Sequence, residues 1–408
     1  MLATVLIGAI APATLARADA PAPGSFDPTF GTNGVVTNVD ANLSFDVRAQ
    51  GIDKDGIWTA GGMFNAARPR HMGGQPFLRR YHSNGQPDRS FGHRGTLVLP
   101  FAGFIASGFD DSQGRLVAVV DNDDAGTQRA CRFLQDGEID TDFGGGCVGS
   151  GAIKVFPRDN DEVLVQEALS PTLRAVHLAA YLPEGTLAAS FANGAGEATV
   201  APPPHTHRSG ATVTQLSNGE LVVAWTQSRL TGSTTTRAEL FDSNLGRFTG
   251  WAHDGVFVST DAVYSWTVAG KWIDAISTPL HGPESLVRLT REGRIDRSFG
   301  TNGRIDLAAT LGDAQYQLLG ANGQSLYFGV TPPSGEGGGA IERLDLDGTP
   351  DPTFGSGGLT QLVQPAGTDT VEPQTVSFVR GRLTVFVTHV LFPHETTQYA
   401  SSIQRFYR

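Results

Sequence analysis

Asp27-Pro-Thr-Phe30-Gly31-Thr-Asn-Gly34 decides the fold, because the chain writes it again and again. It returns as Asp88-Arg-Ser-Phe91-Gly92-His-Arg-Gly95, as Asp296-Arg-Ser-Phe299-Gly300-Thr-Asn-Gly303 and as Asp351-Pro-Thr-Phe354-Gly355-Ser-Gly-Gly358. Asp140-Thr-Asp-Phe143-Gly144 is a fifth copy, altered at its end, and two worn copies centre on Phe191 and Trp251. The seven aromatic positions are spaced 61, 52, 48, 60, 48 and 55 residues apart, a mean of 54. A period of that size suits a four-stranded antiparallel unit that buries its faces against its neighbours. The expectation is an all-β, seven-bladed β-propeller.

The residues between the motifs support that reading. The first unit divides into strands at 35–38, 45–52, 57–60 and 77–82, with the motif joining the last strand of one unit to the first of the next. Asn84-Gly85, Asn218-Gly219 and Asn322-Gly323 are two-residue hairpin signals between strands. Val223 and Trp225, or Val385 and Val387, alternate as half-buried strands require. The residue six before each aromatic is Gly in six of seven units, which points to a turn with positive φ. Arg stands eleven before the aromatic at Arg80, Arg132, Arg288 and Arg343, and the motif Asp follows at Asp88, Asp140, Asp296 and Asp351. Both worn units lose the two together: Ala180 goes with Ala188, and Leu240 with Phe248. Replacing both members of a buried pair costs less than removing one, so a repeated Arg–Asp ion pair is expected, with general decay of the two units as the competing reading.

The ends point to closure. Ile403-Gln404-Arg405-Phe406-Tyr407-Arg408 reads as a last strand that stops where Pro23-Gly24 takes up the pattern. A ring closed by pairing the terminal segments removes exposed sheet edges, and it would add a fifth pair, Arg405 with Asp27. An open stack or two smaller domains is the competing architecture.

With its Arg-aromatic strand, its Asp/Asn-Gly turn and the Asp-x-x-Phe-Gly-x-x-Gly segment, the chain resembles the delta-60 repeat proteins of bacteria over nearly all of residues 19–408. The resemblance implies a repeat class and a bacterial source, and brings no catalytic residues with it.

Composition sets bounds on partners and compartment. The chain has 408 residues, 51 of them Gly and 17% charged, as many short strands and turns require. A net charge of −11 argues against nucleic acid, because phosphate backbones demand a basic surface. Residues 1–18 read as a signal peptide: Leu2 to Leu15 are mostly apolar, and Ala16-Arg17-Ala18 is a small-residue cleavage pattern. Nothing before Leu15 is basic, which departs from the usual leader, and a buried N-terminal helix is the competing reading. No second apolar span follows, so residues 19–408 are expected to form one secreted or periplasmic domain without a membrane span. Cys131 and Cys147 are the two cysteines, read as a disulfide in an exported protein, or else as two buried thiols.

Residues present in every unit serve folding, so functional candidates are departures from the repeat. The irregular loops 65–75, 121–128, 158–162, 202–208, 332–339 and 392–399 are expected on one face, opposite the motifs, where recognition would sit. Asp121, Asp123 and Asp124 in one loop and Asp159, Asp161 and Glu162 in another could converge on Ca²⁺, which takes several oxygen ligands; solvated acidic turns are the plainer reading. His205 and His207 alternate as a metal pair would, without an evident third ligand. Trp251, Trp266 and Trp272 offer either a sugar platform or core. No nucleophile elbow, His-Glu-x-x-His helix or phosphate loop appears. The function expected is an exported binding or protein-interaction scaffold without a required cofactor, its partner a protein or an extracellular polysaccharide. The alternative is a hydrolase or lyase on an extracellular polymer such as a polysaccharide, and a purely structural surface protein is a third reading.

Overall fold

The computed structural model describes residues 21–38, 43–52, 56–65, 74–168, 175–204, 210–228, 234–279, 281–332, 338–391 and 398–408. The leader read over 1–18 and the pair His205 and His207 lie outside them. The described residues form seven four-stranded antiparallel sheets, the blades of a β-propeller, with one short α-helix, Leu307–Leu311, and three single-turn 3-10 helices. Blade 1 runs from the inner strand Leu43–Ile52 through Gly56–Asn65 and Gln75–His82 to the outer strand Thr96–Val98. Blades 2 to 6 repeat this order with inner strands at Gly103–Asp110, Ala152–Pro157, Gly210–Gln215, Ala262–Ala269 and Gln315–Ala321.

Blade 7 closes the ring. Three of its strands come from the C-terminal part, Thr370–Val379, Arg382–Leu391 and Gln398–Tyr407, and its outer strand is the N-terminal Val35–Asn38. The pairing runs from Val35 opposite Gln404 to Asn38 opposite Ser401. Gly24 N–H donates to the Tyr407 carbonyl and Asp27 N–H to the Arg405 carbonyl, extending the seam. All outer strands are two to four residues long, which limits edge-to-edge pairing with other chains.

One boundary differs from the sequence reading. Strands on either side of a motif pair with each other, as Phe77 does with Val98, so the motif is the hairpin between third and outer strands of one blade. The passage between blades is the connection after the outer strand, such as 99–102. The outer strands are too short to announce themselves as blade edges, and the sequence period is therefore offset from the blade by one strand. The motifs and the inner-to-second turns share one end of the ring, the motif face; the remaining connections form the loop face.

Seven hydrophobic clusters fill the seven gaps between adjacent blades, and each holds one motif aromatic. Phe30, Phe91, Phe143, Phe191, Trp251, Phe299 and Phe354 are all buried. Across five gaps the residue after the aromatic (Gly31, Gly144, Ala192, Ala252 or Gly355) donates its N–H to a carbonyl in the next blade's motif turn: Asn84, Glu184, Asn244, Glu292 and Pro23 respectively. The glycine six before the aromatic lies on the receiving side. At Gly185, φ is +82° and an added Cβ would lie 2.3 Å from the Gly144 nitrogen, so both conformation and close approach require glycine.

The ion pairs follow the expected pattern in part. Arg132 Nε lies 2.7 Å from Asp140, Arg343 Nη2 2.5 Å from Asp351, and Arg80 Nε a looser 3.7 Å from Asp88. Two expected pairs are not formed. Arg288 turns to Asp274, directly opposite on the second strand, with bonds of 2.8 and 2.9 Å, because that carboxylate is fully buried and a bidentate guanidinium satisfies it. Asp296 is left with Ser298. At the seam Asp27 takes Arg382, at 2.8 Å, and not Arg405. What recurs is the stacking of the Arg on its motif ring: Arg132 on Phe143, Arg288 on Phe299, Arg343 on Phe354 and Arg405 on Phe30, at 3.8 to 4.7 Å. Cys131 and Cys147 face each other across the third and outer strands of blade 2 and are disulfide-bonded. The outer strand there is only Cys147–Val148, so the covalent link holds a blade edge that has little ladder.

Candidate functional site

The two faces of the ring carry different kinds of residue. On the motif face the turns are occupied by the clasp described above. On the loop face the connections differ in length and composition from blade to blade.

The acidic loops do not converge. Asp121, Asp123 and Asp124 lie at the second-to-third-strand turn of blade 2, on the loop face, whereas Asp159 and Asp161 lie at the inner-to-second-strand turn of blade 3, on the motif face. The separation follows from Ala152–Pro157 being the inner strand of its blade, which carries 158–162 to the opposite end. The carboxylates are also engaged: Asp121 accepts from Gln128 Nε2 at 2.7 Å, Asp124 from Ala102 N–H at 3.0 Å, and Asp161 from both the N–H and hydroxyl of Ser112 at 2.8 Å. Among the described residues no group of three or more His, Cys, Asp or Glu is placed to hold a metal ion. Of the tryptophans, Trp251 and Trp266 are buried between blades 4 and 5, and Trp272 lies under the Arg288 guanidinium at 4.6 Å.

One acid–base constellation is not legible in the sequence. At the loop end of blade 3, His177 Nε2 lies 3.8 Å from Glu167 and 3.5 Å from Glu197, and the Tyr181 hydroxyl donates to Glu167 at 3.4 Å. Ser150 N–H, from the preceding blade, donates to the same carboxylate at 3.2 Å. Burial, then the Glu167 carboxylate, push the Tyr181 hydroxyl up to about 12, so it remains a proton donor at neutral pH. Its signal in the sequence was faint: strand register sets Glu167 opposite His177, and nothing short of the pairing reveals that.

On the motif face, wells open between blades. One between blades 7 and 1 has a volume of about 340 Å³ and is bordered by Asp27, Arg382, Arg405 and Ser83. Its counterpart between blades 3 and 4 reaches about 690 Å³. Here the third strand carries Ala180 and the motif Ala188, and the guanidinium over Phe191 comes from Arg158, at 5.0 Å, off the inner-strand turn. Arg158 Nε donates to Glu162 at 3.0 Å, Nη2 to Asn244 Oδ1 at 3.0 Å, and Nη1 to the Ser243 carbonyl.

No protein-family model matches the chain, and no curated protein resembles it in sequence. Solved structures share its fold. A polysaccharide lyase of family PL25, an ulvan lyase bound to -[GlcA(1-4)Rha3S]-, is 8% identical with a TM-score of 0.52, covering 90% of this chain and 95% of that one. The propeller domain of the Trilobed protease from Pyrococcus furiosus is 7% identical with a TM-score of 0.49, over 86% and 94%. A protein of unknown function from Dyadobacter fermentans is 13% identical with a TM-score of 0.43, over 92% and 100%. For the lyase, at that identity, the likeness is one of fold alone. No helix of the described residues is long and apolar enough to cross a membrane.

Proposed function

We propose that this chain is a non-catalytic binding scaffold of the delta-60 repeat class, exported to the periplasm or beyond, which holds a protein or an extracellular polysaccharide on its loop face. The observation that carries this reading is the asymmetry of the ring. Motif-face turns repeat one clasp from blade to blade, while the sequences of the loop-face connections follow no common pattern on a closed support. Export is supported by the Cys131–Cys147 disulfide, which persists in oxidising compartments, and by the apolar run at 2–15. A ligand that binds only the folded chain raises its unfolding midpoint. Thermal unfolding with purified bacterial and plant polysaccharides and with candidate extracellular proteins, each with Ca²⁺ or chelator, identifies the class. Cutting the loop 123–126 to Asn-Gly is expected to abolish or weaken the shift, read against the variant's own unliganded midpoint; a shift that is unchanged in this variant and in matching cuts of the other loop-face turns overturns the assignment to that face.

The Glu167–Tyr181–His177–Glu197 group supports a second reading, a hydrolase or lyase on an extracellular polymer, since it sets a proton donor beside carboxylates. Incubation with the same polysaccharides should then release reducing ends or unsaturated sugars, and Glu167→Gln should stop it. No product from any polymer removes this reading and leaves the scaffold.

A further inference from the structure

We infer that the well between blades 3 and 4 on the motif face is a second binding site, separate from the loop face, for a neutral saccharide. The inference starts from the relocated guanidinium, since Arg158, which stacks on Phe191 from the inner-strand turn, also borders the well. Where four units place Arg and Asp, this one has Ala180 and Ala188, and both methyl groups are fully buried. The well between blades 3 and 4 measures about 690 Å³. That is within the range of small-ligand sites, roughly 300 to 1,000 Å³.

The walls are held from two sides. Asp161 is bonded to Ser112 of blade 2, and Arg158 reaches Ser243 and Asn244 of blade 4. Between these anchors Asn160 and Asp161 both adopt left-handed φ, 60° and 58°, a conformation non-glycine residues rarely take in succession. A wall fixed before the ligand arrives loses little entropy on binding.

The chemistry of the lining selects the ligand. Asp159, Asn160, Gln215, Asn218, Ser190 and Asn244 face the well. Among the described residues its only cation, Arg158, is spent on Glu162 and the blade 4 turn, which disfavours a phosphate, sulfate or uronate. No aromatic side chain lines it, which disfavours a flat apolar ligand. Side-chain amides both donate and accept, and a carboxylate accepts from two neighbouring hydroxyls at once, as vicinal sugar hydroxyls require. The Asp159 carboxylate and the Asn218 amide nitrogen have no hydrogen-bond partner among the described residues and are the groups left to make those bonds.

The test is a glycan array carrying neutral and anionic oligosaccharides, followed by calorimetric titration of the strongest neutral glycan. Wild type should bind neutral glycans in preference to anionic ones. Asp159→Ala, an exposed position, should weaken binding about tenfold or more, the loss of hydrogen bonds to a charged group. Asn218→Trp should block the well, while Ser83→Trp in the well between blades 7 and 1 should leave binding unchanged, each variant being checked by its unfolding midpoint. No neutral glycan bound at millimolar concentration, or binding unchanged in Asp159→Ala, overturns the inference. The loop cut at 123–126 separates the two sites, since it should disturb only a ligand of the loop face.

Discussion

The gaps between blades 7 and 1 and between blades 3 and 4 meet the same physical demand by different routes. In the first, Arg405 from the third strand lies 4.1 Å over Phe30 and its Nη1 donates to the Ser83 carbonyl of the next blade. In the second, Arg158 from the inner-strand turn lies over Phe191 and donates to the Ser243 carbonyl, which is eight residues before its aromatic just as Ser83 is before Phe91. A cation over the ring and a donor to the next turn are therefore what the gap needs, whichever strand supplies them. The difference is in what is left over. Asp27, Arg382 and Arg405 border the well at the first gap, and Arg158 with Asp159, Asn218 and Asn244 borders the well at the second.

The comparison can be broken at the ring that both gaps share. Phe30→Ala and Phe191→Ala should each cost about 3 to 5 kcal/mol in denaturant unfolding, since both rings are fully buried. Unequal costs would show that one gap relaxes around its cavity more than the other. Removing the cations should separate the two. Arg158→Ala strips Glu162, a buried carboxylate, of its one cation and should cost roughly 3 kcal/mol or more. Arg405→Ala leaves Asp27 with Arg382 and should cost less, about 1 to 2 kcal/mol.

Acid should act on the seam side by two steps. Burial pushes His389 of blade 7 down to about 4, against 6.5 in the unfolded chain. The unfolded state then takes up a proton first, so this contribution is intact above pH 6.5 and is lost as pH falls towards 4, by roughly 3 kcal/mol in all. His389→Gln should flatten the stability profile in that window. At Asp27 burial raises the carboxyl, but hydrogen bonds from Thr29 and Arg382 outweigh it and the net shift is downward from 3.8. Its contribution is present above that value and fades below it, so Asp27→Asn should lower stability at neutral pH and flatten the profile only below about pH 4. Hydrogen exchange at acid pH should show blade 7 opening before blade 3. An effect of opposite sign belongs to Glu342 in blade 6, which burial raises to about 7. Its charged form is the costly one, so Glu342→Gln should stabilise the fold at pH 8 and do little at pH 5, read from paired denaturant curves.

Much of this was legible from the residues alone, where the information is local and periodic. Seven aromatics at blade spacing, Gly six before six of them, and a C-terminal strand that stops where Pro23-Gly24 begins gave blade number and closure. The partner of Arg288 was not legible, because Asp274 is its neighbour across the sheet and not along the chain. Asp159 and Asp161 were misplaced for a related reason: a two-residue outer strand, Cys147–Val148, hid the point from which faces must be counted.

By itself, then, the sequence determined the repeat, the aromatic that fills each gap and the ring that joins the two ends, since each rests on side-chain size, backbone permissiveness and alternation read along one strand. The tertiary structure alone decided which carboxylate meets which guanidinium, where Arg158 substitutes for a lost Arg, and which residues border the well between blades 3 and 4. Those outcomes depend on distances between strands and blades, and such distances exist only once the sheets have packed.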